Sequence, residues 1–285
     1  MLCWGASFVF TAALLDMLDP ISIIFSRLLI SSILLWVIVL LFFRKQKLKK
    51  TLLKWVFLLA VFEPFIYFLG ETYGLQRVSP VVVSIIIATI PVFTAIMMSV
   101  FFQAKLSAVN FLGIFISLFG VLCMIINKDL TFSADLIGIL LIFIAVFSTL
   151  GYNVILHKLS KESHPVWIVT LQNTFGILLF LPLFLLLKEN PNYESGKALF
   201  AFFSVKETMW FCLIMLAVFC SALAFIFYIF VVKRIGVAKS SVFSNLIPII
   251  TALISYFLID ERFTPLKIAG IGIVILGLVL TQRKK

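Results

Sequence analysis

Residues 77–120 read RVSPVVVSIIIATIPVFTAIMMSVFFQAKLSAVNFLGIFISLFG, and residues 234–277 read RIGVAKSSVFSNLIPIITALISYFLIDERFTPLKIAGIGIVILG. The two stretches align without a gap at an offset of 157 residues, which places Pro91 opposite Pro248. A proline inside an apolar helix is costly, and so are glycines on the helix that follows, so their joint recurrence indicates an internal repeat. The other matches at this offset are Arg77 with Arg234, Gly113 with Gly270 and Gly120 with Gly277.

The composition is that of an integral membrane protein, so we expect the lipid bilayer to be one of its partners. Of the 285 residues, 63% are hydrophobic and 12% are charged, and Phe alone occurs 32 times. A soluble protein of this length carries about a quarter charged residues. The net charge of +11 does not indicate nucleic acid binding, because the basic residues lie between apolar runs, where they set membrane orientation.

Ten apolar stretches are candidates for spanning a bilayer, which takes about 20 residues. They predict an all-α polytopic membrane protein with five helices in residues 1–126 and five in residues 135–285. The first stretch is short, and without a basic start or a small-residue cleavage site it is not expected to be a signal peptide. The predicted spans are 2–15, 20–43, 52–74, 80–102, 107–126, 135–157, 164–187, 207–232, 238–259 and 265–281.

The connections between the spans carry the orientation signal. With the N-terminus inside, the inner segments hold about twice as many Lys and Arg residues as the outer ones, which predicts that both termini are cytoplasmic. Because five helices is an odd number, the second half enters the membrane from the opposite side, and the halves form an inverted repeat with a binding site between them. Pro20 aligns with Pro165 at a shorter offset of 145, and the extra length lies in the predicted outer loop at residues 188–206.

A set of short motifs is spread over both halves. The motifs are Trp4-Gly5 in the first span, Pro20 followed by Arg27 in the second, GETYGLQRVSP at residues 70–80 and DERFTP at residues 260–265. Together they resemble the drug/metabolite transporter superfamily, EamA type, over essentially the whole chain. The resemblance implies a ten-helix carrier of the inner cell membrane, with a central cavity lined mainly by helices other than the fifth and tenth. The acidic residue typical after the ninth helix is present as Glu261, whereas Ala104 stands at the corresponding place after the fourth.

Three charged residues lie well inside predicted spans: Arg27, Glu63 and Glu71. A charge inside a bilayer costs roughly 2.5–3.5 kcal/mol on insertion scales, so these side chains face protein or water. Glu63, Tyr67 and Glu71 are spaced four residues apart and predict one polar stripe on the third helix. The stripe is a candidate site for a substrate amine or a proton. A structural ion pair of Arg27 with one of the acids is an alternative, and so is exposure of Glu71 to the outer water.

The corresponding positions of the second half are polar but uncharged. The offset of 157 places Tyr228 opposite Glu71, and the offset of 145 places Gln172 opposite Arg27. This asymmetry suits a substrate with two different ends, and drift of a structural pair would produce it equally well.

Pro91 and Pro248 each remove a helical hydrogen bond, so they predict bent helices that act as hinges. Nearby hydroxyl side chains either satisfy the freed backbone groups or contact the substrate. The full set of candidate substrate-binding residues is Trp4, Arg27, Glu63, Tyr67, Glu71, Asn153, Gln172, Tyr228 and Asn245.

Small residues on the fifth and tenth predicted helices indicate close helix packing. We expect these helices to pack on each other as a scaffold or to form a dimer contact, so the protein is either a monomer or a homodimer. The residues are Gly113, Ser117, Gly120, Gly270, Gly272 and Gly277.

The sequence carries no motif for an enzyme, a metal or a cofactor. Its four cysteines are scattered through apolar segments without CxxC spacing, so neither a metal site nor a disulfide framework is predicted. We therefore expect a secondary transporter that exports a small polar metabolite, such as an amino acid, by alternating access, with proton coupling as an option. The alternatives are a membrane-embedded scaffold or assembly protein without transport activity, and a membrane enzyme, for which a catalytic motif is missing.

Overall fold

The described secondary structure of the chain is helical throughout. A computed structural model describes residues 1–44, 50–102, 108–109, 112–113, 115–116, 119–120, 135–199, 203–261 and 264–281, at some of which, Asn245 among them, only the backbone is described. Within these described residues, five helices are long and apolar enough to cross a membrane: α2 (Pro20–Phe42), α3 (Leu53–Leu75), α6 (Leu136–Glu162), α7 (Pro165–Leu187) and α8 (Val205–Ile235). The shorter helices are α1 (Leu2–Leu15), α4 (Pro80–Ile87), α5 (Ile90–Phe102), α9 (Val237–Ser241), α10 (Ile247–Leu258) and α11 (Pro265–Thr281). This is the architecture of a polytopic membrane protein.

Two predicted spans are each divided into separate helices. The stretch 80–102 is interrupted at Ala88 and Thr89, between α4 and α5. The stretch 238–259 consists of α9, a 3-10 turn at Val242–Leu246, and α10. Pro91 and Pro248 are the second residues of α5 and α10, where a proline is tolerated because the helix has only just begun. The predicted span 107–126 lies largely outside the described residues.

The starts of α2 and α7 are built in the same way. Each has a proline as its first residue, preceded by a capping side chain. An Asp19 carboxylate oxygen accepts a hydrogen bond from a backbone N–H at 2.9 Å, and His164 Nδ1 accepts one at 3.4 Å. Capping and proline together satisfy or remove N–H groups that the first helical turn leaves unpaired. Because Asp19 and His164 are related by the offset of 145, the caps recur in both halves.

Two helices contain wide turns. Residues Val61–Ile66 of α3 and Met215–Leu223 of α8 are π-helical. Inside the first of these turns, Glu63 has non-helical backbone angles (φ −144°, ψ 114°). The stripe predicted from a spacing of four residues assumed one continuous helix, and in this respect the prediction was wrong. Wide turns of this kind often occur at functional sites.

The helices pack in a reciprocal pattern. α2 lies along α7, the second half of α3 lies along α6, and α1 contacts both α8 and α10. Between α3 and α6 the backbones approach closely: a Cβ atom on Gly70 would lie 2.5 Å from the Leu141 carbonyl oxygen, and Gly74 faces the Ile142 side chain. Small residues one turn apart permit this close approach, as they do in many membrane helix pairs.

The glycines predicted to join the fifth and tenth spans are described in part. A Cβ atom on Gly120 would lie 2.7 Å from Val274 N and 3.0 Å from the Gly270 carbonyl oxygen, so Gly120 packs directly on α11. Gly272 has nothing within 4 Å of its Cβ position. Ser117 lies outside the described residues.

The connection between α7 and α8 is fastened to the turn between α1 and α2. The Asn192 N–H donates to the Met17 carbonyl oxygen at 2.8 Å, and the Glu189 N–H donates to the Asp19 carboxylate at 3.1 Å. A Cβ atom on Gly196 would collide with the Met17 side chain, so the chain passes tightly over this side chain. Met17 is thereby buried, with 2% of its surface exposed.

Candidate functional site

A central cavity lies between helices of the two halves of the chain. Residues of α1, α2, α3, α4, α6 and α8 form its wall together with the region of the α9–α10 break. Its volume is about 50 Å³, which is room for a few water molecules. Its polar wall residues are Ser7, Arg27, Glu63, Tyr67, Glu71, Thr149, Tyr152, Tyr228, Ser241 and Ser244.

The predicted stripe of α3 lies on this wall. Glu63, Tyr67 and Glu71 all line the cavity, and their side chains are buried. The wide turn at Glu63 brings it to the same wall although the helix is not regular there. Glu71 is 2% exposed and its Oε2 has no hydrogen-bond partner. The alternative in which Glu71 is simply exposed to outer water therefore does not describe this structure.

Arg27 also lines this cavity, and its guanidinium contacts a serine hydroxyl and a phenylalanine ring. Its Nε donates to Ser221 Oγ at 2.9 Å, and its guanidinium carbon lies 4.1 Å from the centre of the Phe68 ring. Nη1 is buried and has no hydrogen-bond partner. Among the residues that the structure describes, no carboxylate oxygen lies within 4.0 Å of the guanidinium nitrogens of Arg27. The alternative of a direct ion pair with Glu63 or Glu71 is thus not found.

A buried network of hydrogen bonds includes Arg27. Asn173 Nδ2 donates to Ser31 Oγ at 2.8 Å and to the Ser221 carbonyl oxygen at 3.2 Å. The hydroxyl of Ser221 in turn accepts from Arg27, so residues of α2, α7 and α8 form one hydrogen-bonded network that includes the guanidinium. The sequence reasoning did not select these three partners. The polar pair Gln172-Asn173 inside an apolar helix was the available signal.

Aromatic side chains form the remaining wall. The Trp4 ring meets Phe225 and Tyr228 edge-to-face, with ring centres 5.2 Å apart in both pairs. Trp4 Nε1 donates to the Cys220 carbonyl oxygen at 3.3 Å. Tyr228 Oη donates to Asn153 Oδ1 at 3.2 Å. Trp4 and Tyr228 therefore line the cavity, and Asn153 lies behind Tyr228.

Two of the predicted site residues are not on the cavity wall. Asn153 and Gln172 are each 1% exposed and do not line the cavity. Asn153 Nδ2 and Gln172 Oε1 have no hydrogen-bond partners. Tyr152 does line the cavity, and its buried hydroxyl lies next to the Gln172 side chain. The sequence reasoning did not select Tyr152, because a tyrosine in an apolar helix carries little signal without its neighbours.

The hydroxyl side chains near the two breaks have different surroundings. Ser84 Oγ donates to the Val81 carbonyl at 2.7 Å, and Ser240 Oγ donates to the Gly236 carbonyl at 2.7 Å. These bonds satisfy local backbone groups. Ser241 and Ser244 line the cavity instead. The side chain of Asn245 lies outside what the structure describes, and Pro91 and Pro248 flank the cavity rather than line it.

Among the described residues, no group of three His, Cys, Asp or Glu side chains is placed to hold a metal ion. Cys3, Cys212 and Cys220 are free thiols. The chemistry available at the cavity is that of one guanidinium, two carboxyl groups, phenols and hydroxyls, all of which are groups that form hydrogen bonds with polar molecules.

Known proteins with similar sequence span the whole chain. An uncharacterized transporter of Archaeoglobus fulgidus is 24% identical over 282 residues, covering 99% of this chain and 95% of that protein. The uncharacterized transporter YdfC of Bacillus subtilis is 28% identical over 279 residues, covering 96% of this chain and 85% of that protein. A solved crystal structure shares the fold, with a TM-score of 0.65 at 14% identity, over 99% of this chain and 96% of the other.

The family comparison agrees with the motifs found in the sequence. The EamA-like transporter family matches residues 1–126 and 136–283, which together make up nearly the entire chain. This match confirms the resemblance drawn from Trp4-Gly5, Arg27 and the segment at residues 70–80. The chain belongs to the EamA-like transporter family.

Proposed function

We propose that the protein is a secondary transporter that exports a small polar metabolite, such as an amino acid, by alternating access through the central cavity. The observation that carries the proposal is a buried cavity in which Arg27 and Glu71 each keep an unpaired polar atom. Burial without a partner is costly for a charged group, so a protein retains such groups where a ligand or water satisfies them. A cavity lined by both halves is also where carriers with inverted repeats bind their cargo.

Ten membrane crossings in two inverted repeats, residues 1–126 and 135–285, form the second part of the proposal. Irregular features at equivalent positions support it. The wide turn Val61–Ile66 falls at 218–223 when moved by 157 residues, within the wide turn Met215–Leu223. The break at 88–89 corresponds in the same way to the 3-10 turn that precedes α10.

The packing pattern supports the same symmetry. If α1, α2 and α3 correspond to α6, α7 and α8, then the contact of α3 with α6 corresponds to the contact of α8 with α1. Both contacts occur, and α2 packs on its own counterpart α7. This reciprocity is expected of a two-fold axis between the halves.

We further propose that the protein resides in the inner cell membrane with both termini in the cytoplasm, and that Glu63 or Glu71 can carry a proton. The basic inner segments support the orientation. The burial of both carboxylates in one cavity supports the proton role, because such groups change ionisation when water reaches them.

A membrane-embedded scaffold without transport activity is the alternative. A scaffold requires neither a central polar cavity nor a buried guanidinium, such as that of Arg27, whose Nη1 has no hydrogen-bond partner. The cavity therefore favours transport over assembly.

Binding and transport measurements test the proposal. Purified protein is heated with members of a panel of amino acids, nucleobases, polyamines and sugar phosphates, because a ligand that binds only the folded state raises its melting temperature. Hits are then tested by counterflow in proteoliposomes, with protein-free liposomes as the control. We expect at least one hit to exchange across the bilayer. If hits bind but none crosses, the transport proposal is wrong.

A further inference from the structure

We propose that an anionic phospholipid binds on the outside of the helix bundle, between the ends of α3 and α6 that carry Lys54 and Lys158. Its phosphate group lies between the two ammonium groups beside the Trp55 indole, and an acyl chain follows the exposed face of α6. The site is separate from the central cavity, whose wall includes none of these three residues. The inference therefore does not depend on what the protein transports.

Two lysines from different helices meet at one tryptophan ring. Lys158 Nζ of α6 lies 4.6 Å from the centre of the Trp55 ring, and Lys54 Nζ of α3 lies 5.7 Å from it. The two Nζ atoms are therefore no more than about 10 Å apart, which is the distance over which salt screens exposed charges. Each ammonium group is attracted to the ring, but the two repel each other. An anion placed between them removes this repulsion.

No acidic side chain of the described residues supplies that anion. Within the described parts of the chain, no carboxylate oxygen lies within 4.0 Å of the Nζ atom of Lys54 or Lys158. Glu162 follows Lys158 by one helical turn, and its exposed side chain also stays outside this distance. Lys161 Nζ contacts His157 Nε2 at 3.0 Å, so this lysine adds positive charge at the same end of α6. The excess positive charge favours an anion from outside the protein.

The Trp55 ring gives the site a fixed base. It is half-buried and packs against a buried cluster that includes Val56 of α3 and Leu159 of α6. Tryptophan is enriched at the level of lipid head groups, because its ring is apolar and its N–H can donate a hydrogen bond. Flexible lysine side chains on either side of such a ring can both reach a phosphate group.

An exposed apolar face of α6 leads from Lys158 toward the middle of the helix. Leu140, Ile144, Phe147 and Val154 are exposed, and their spacing places them on the same side of the helix as Lys158. A soluble anion would make no contact with this face, whereas an acyl chain covers it. The combination of a basic end and an apolar face therefore selects a lipid.

Charge complementarity selects the class of lipid. A zwitterionic head group would bring a cation of its own next to Lys54 and Lys158, whereas an anionic head group brings only negative charge. In the orientation proposed above, this end of the helices faces the cytoplasm, where basic pockets between helices bind anionic head groups. Because Lys54 and Lys158 belong to different halves of the chain, the bound lipid connects the halves and is expected to stabilise the protein.

Thermal unfolding in detergent tests the lipid class. Phosphatidylglycerol and phosphatidylcholine with the same acyl chains are added separately to wild-type protein that has been washed free of lipid. We expect phosphatidylglycerol, at about tenfold excess over its dissociation constant, to raise the melting temperature by about 3–5 °C, and phosphatidylcholine to leave it nearly unchanged. Equal shifts would overturn the requirement for negative charge. An equal shift with inorganic phosphate or with a hexaglutamate peptide would overturn the assignment to a lipid.

Charge variants locate the site. Lys54→Gln together with Lys158→Gln removes both ammonium groups from exposed side chains. The control is Lys188→Gln, which removes an ammonium group 5.3 Å from the centre of the Phe184 ring, near the end of α7. We expect the double variant to lose most of the shift caused by phosphatidylglycerol, while Lys188→Gln keeps it. The charge-preserving pair Lys54→Arg and Lys158→Arg should keep it too. A full shift in the double glutamine variant would overturn the site.

Native mass spectrometry counts the bound lipid and gives a readout that is independent of stability. We expect wild-type protein to retain one phosphatidylglycerol per chain in preference to phosphatidylcholine, and the double glutamine variant to lose this preference. Raising the salt concentration should weaken retention, because the charges are exposed. Wild-type protein that retains no phosphatidylglycerol would overturn the proposal.

Discussion

Glu71 is the single residue at which burial, position and chemistry agree most closely. It lies in the cavity wall, is 2% exposed, and has a carboxylate oxygen without a partner. The protonation of a buried carboxyl group depends on whether water can reach it, so Glu71 is the residue on which the proposed proton role depends most directly. A substitution of Glu71 is therefore the most direct test of the proposed function of the cavity.

Replacing Glu71 by Gln keeps the shape of the side chain and removes its ability to ionise. We expect Glu71→Gln to fold, to lose most transport, and to show a flatter dependence of the remaining rate on pH. Initial rates in proteoliposomes at a series of pH values measure both effects. Glu189→Gln, the same change on an exposed connection, serves as the control.

Normal, pH-dependent transport in Glu71→Gln would exclude an essential ionisable role. If Glu71→Gln fails to fold and neutralising Arg27 as well restores folding, the two residues form a structural pair through space, and the cavity assignment is wrong.

The sequence alone identifies the charged residues of the cavity but not the residues that form hydrogen bonds or pack beside them. Arg27, Glu63 and Glu71 could be selected because a charge inside an apolar span is rare and expensive. Ser221 and Tyr152 could not, because serine and tyrosine are ordinary in membrane helices and their roles depend on which helix packs beside them. Asn153 and Gln172 were selected for polarity, yet the packing places them behind the wall.

At the scale of the element, the helices around the cavity are interrupted where a regular helix would be expected. The breaks before Pro91 and Pro248 and the wide turns in α3 and α8 all lie beside the cavity. Free backbone groups and irregular geometry are tolerated in a membrane protein where they are buried in protein or line a cavity. Pro91 and Pro248 predicted the interruptions near them. For the wide turns, the sequence carries a signal only in the first half, where Pro64 lies inside the turn.

Replacing either break proline by Ala tests whether the breaks act as hinges. Alanine restores an N–H, so the hydrogen-bond ladder of the helix can extend across the break and stiffen it. We expect Pro91→Ala and Pro248→Ala to slow turnover while cargo affinity stays within a few-fold of wild type. Pro182→Ala, which alters a proline in α7 away from the cavity, is the control. Unchanged turnover in both break variants would reduce these prolines to packing features.

Close packing of α3 on α6 gives a second prediction at this scale. A Cβ atom on Gly70 would lie 2.5 Å from a backbone oxygen, whereas one on Gly272 would meet nothing within 4 Å. We expect Gly70→Ala to destabilise the protein by about 1–3 kcal/mol, because the helices must move apart to accommodate the methyl group. Gly272→Ala should have no measurable effect. Melting temperatures of the two variants in the same detergent measure the difference, and equal values would contradict the assigned contact.

At the scale of the whole molecule, the proposed orientation of the chain decides which of its connections face the cell interior. Arg77 and Asp135, both in segments predicted to be outside, form an ion pair with Nη1 and Oδ2 2.7 Å apart. The Arg77 guanidinium holds the pKa of Asp135 below its usual range. The pair requires that the two connections lie on the same side, as the alternation of spans predicts.

Reporter fusions test this orientation. We expect a reporter after Lys285 to be cytoplasmic and one within residues 191–196 to be outside, because basic segments are retained inside. Alkaline phosphatase, which is active only outside, and green fluorescent protein, which is fluorescent inside, read out the two positions. Opposite results at both positions would contradict the proposed orientation and reverse it.

The family and the proposed repeat were the parts most accessible from sequence, because short motifs are spread over the chain and prolines and glycines recur at fixed offsets. The offset of 157 relates two helix breaks and two wide turns, and the offset of 145 relates two capped helix starts. The size of the cavity could not be predicted from the sequence, because it depends on how closely the helices of the two halves pack. The orientation of the Arg27 guanidinium could not be predicted either, because it depends on the Ser221 hydroxyl, which lies in the other half of the chain.

The α7–α8 connection is fastened over Met17 by a hydrogen bond from the Asn192 N–H to the Met17 carbonyl oxygen. The position related to Asn192 by the offset of 145 is residue 47, which lies outside the described residues. One such bond is worth about 0.5–1.5 kcal/mol, which corresponds to a population ratio of up to about tenfold. If the proposed transporter opens by separating this connection from the turn between α1 and α2, the bond favours the closed form of that face, and the empty protein would load cargo preferentially from the other face.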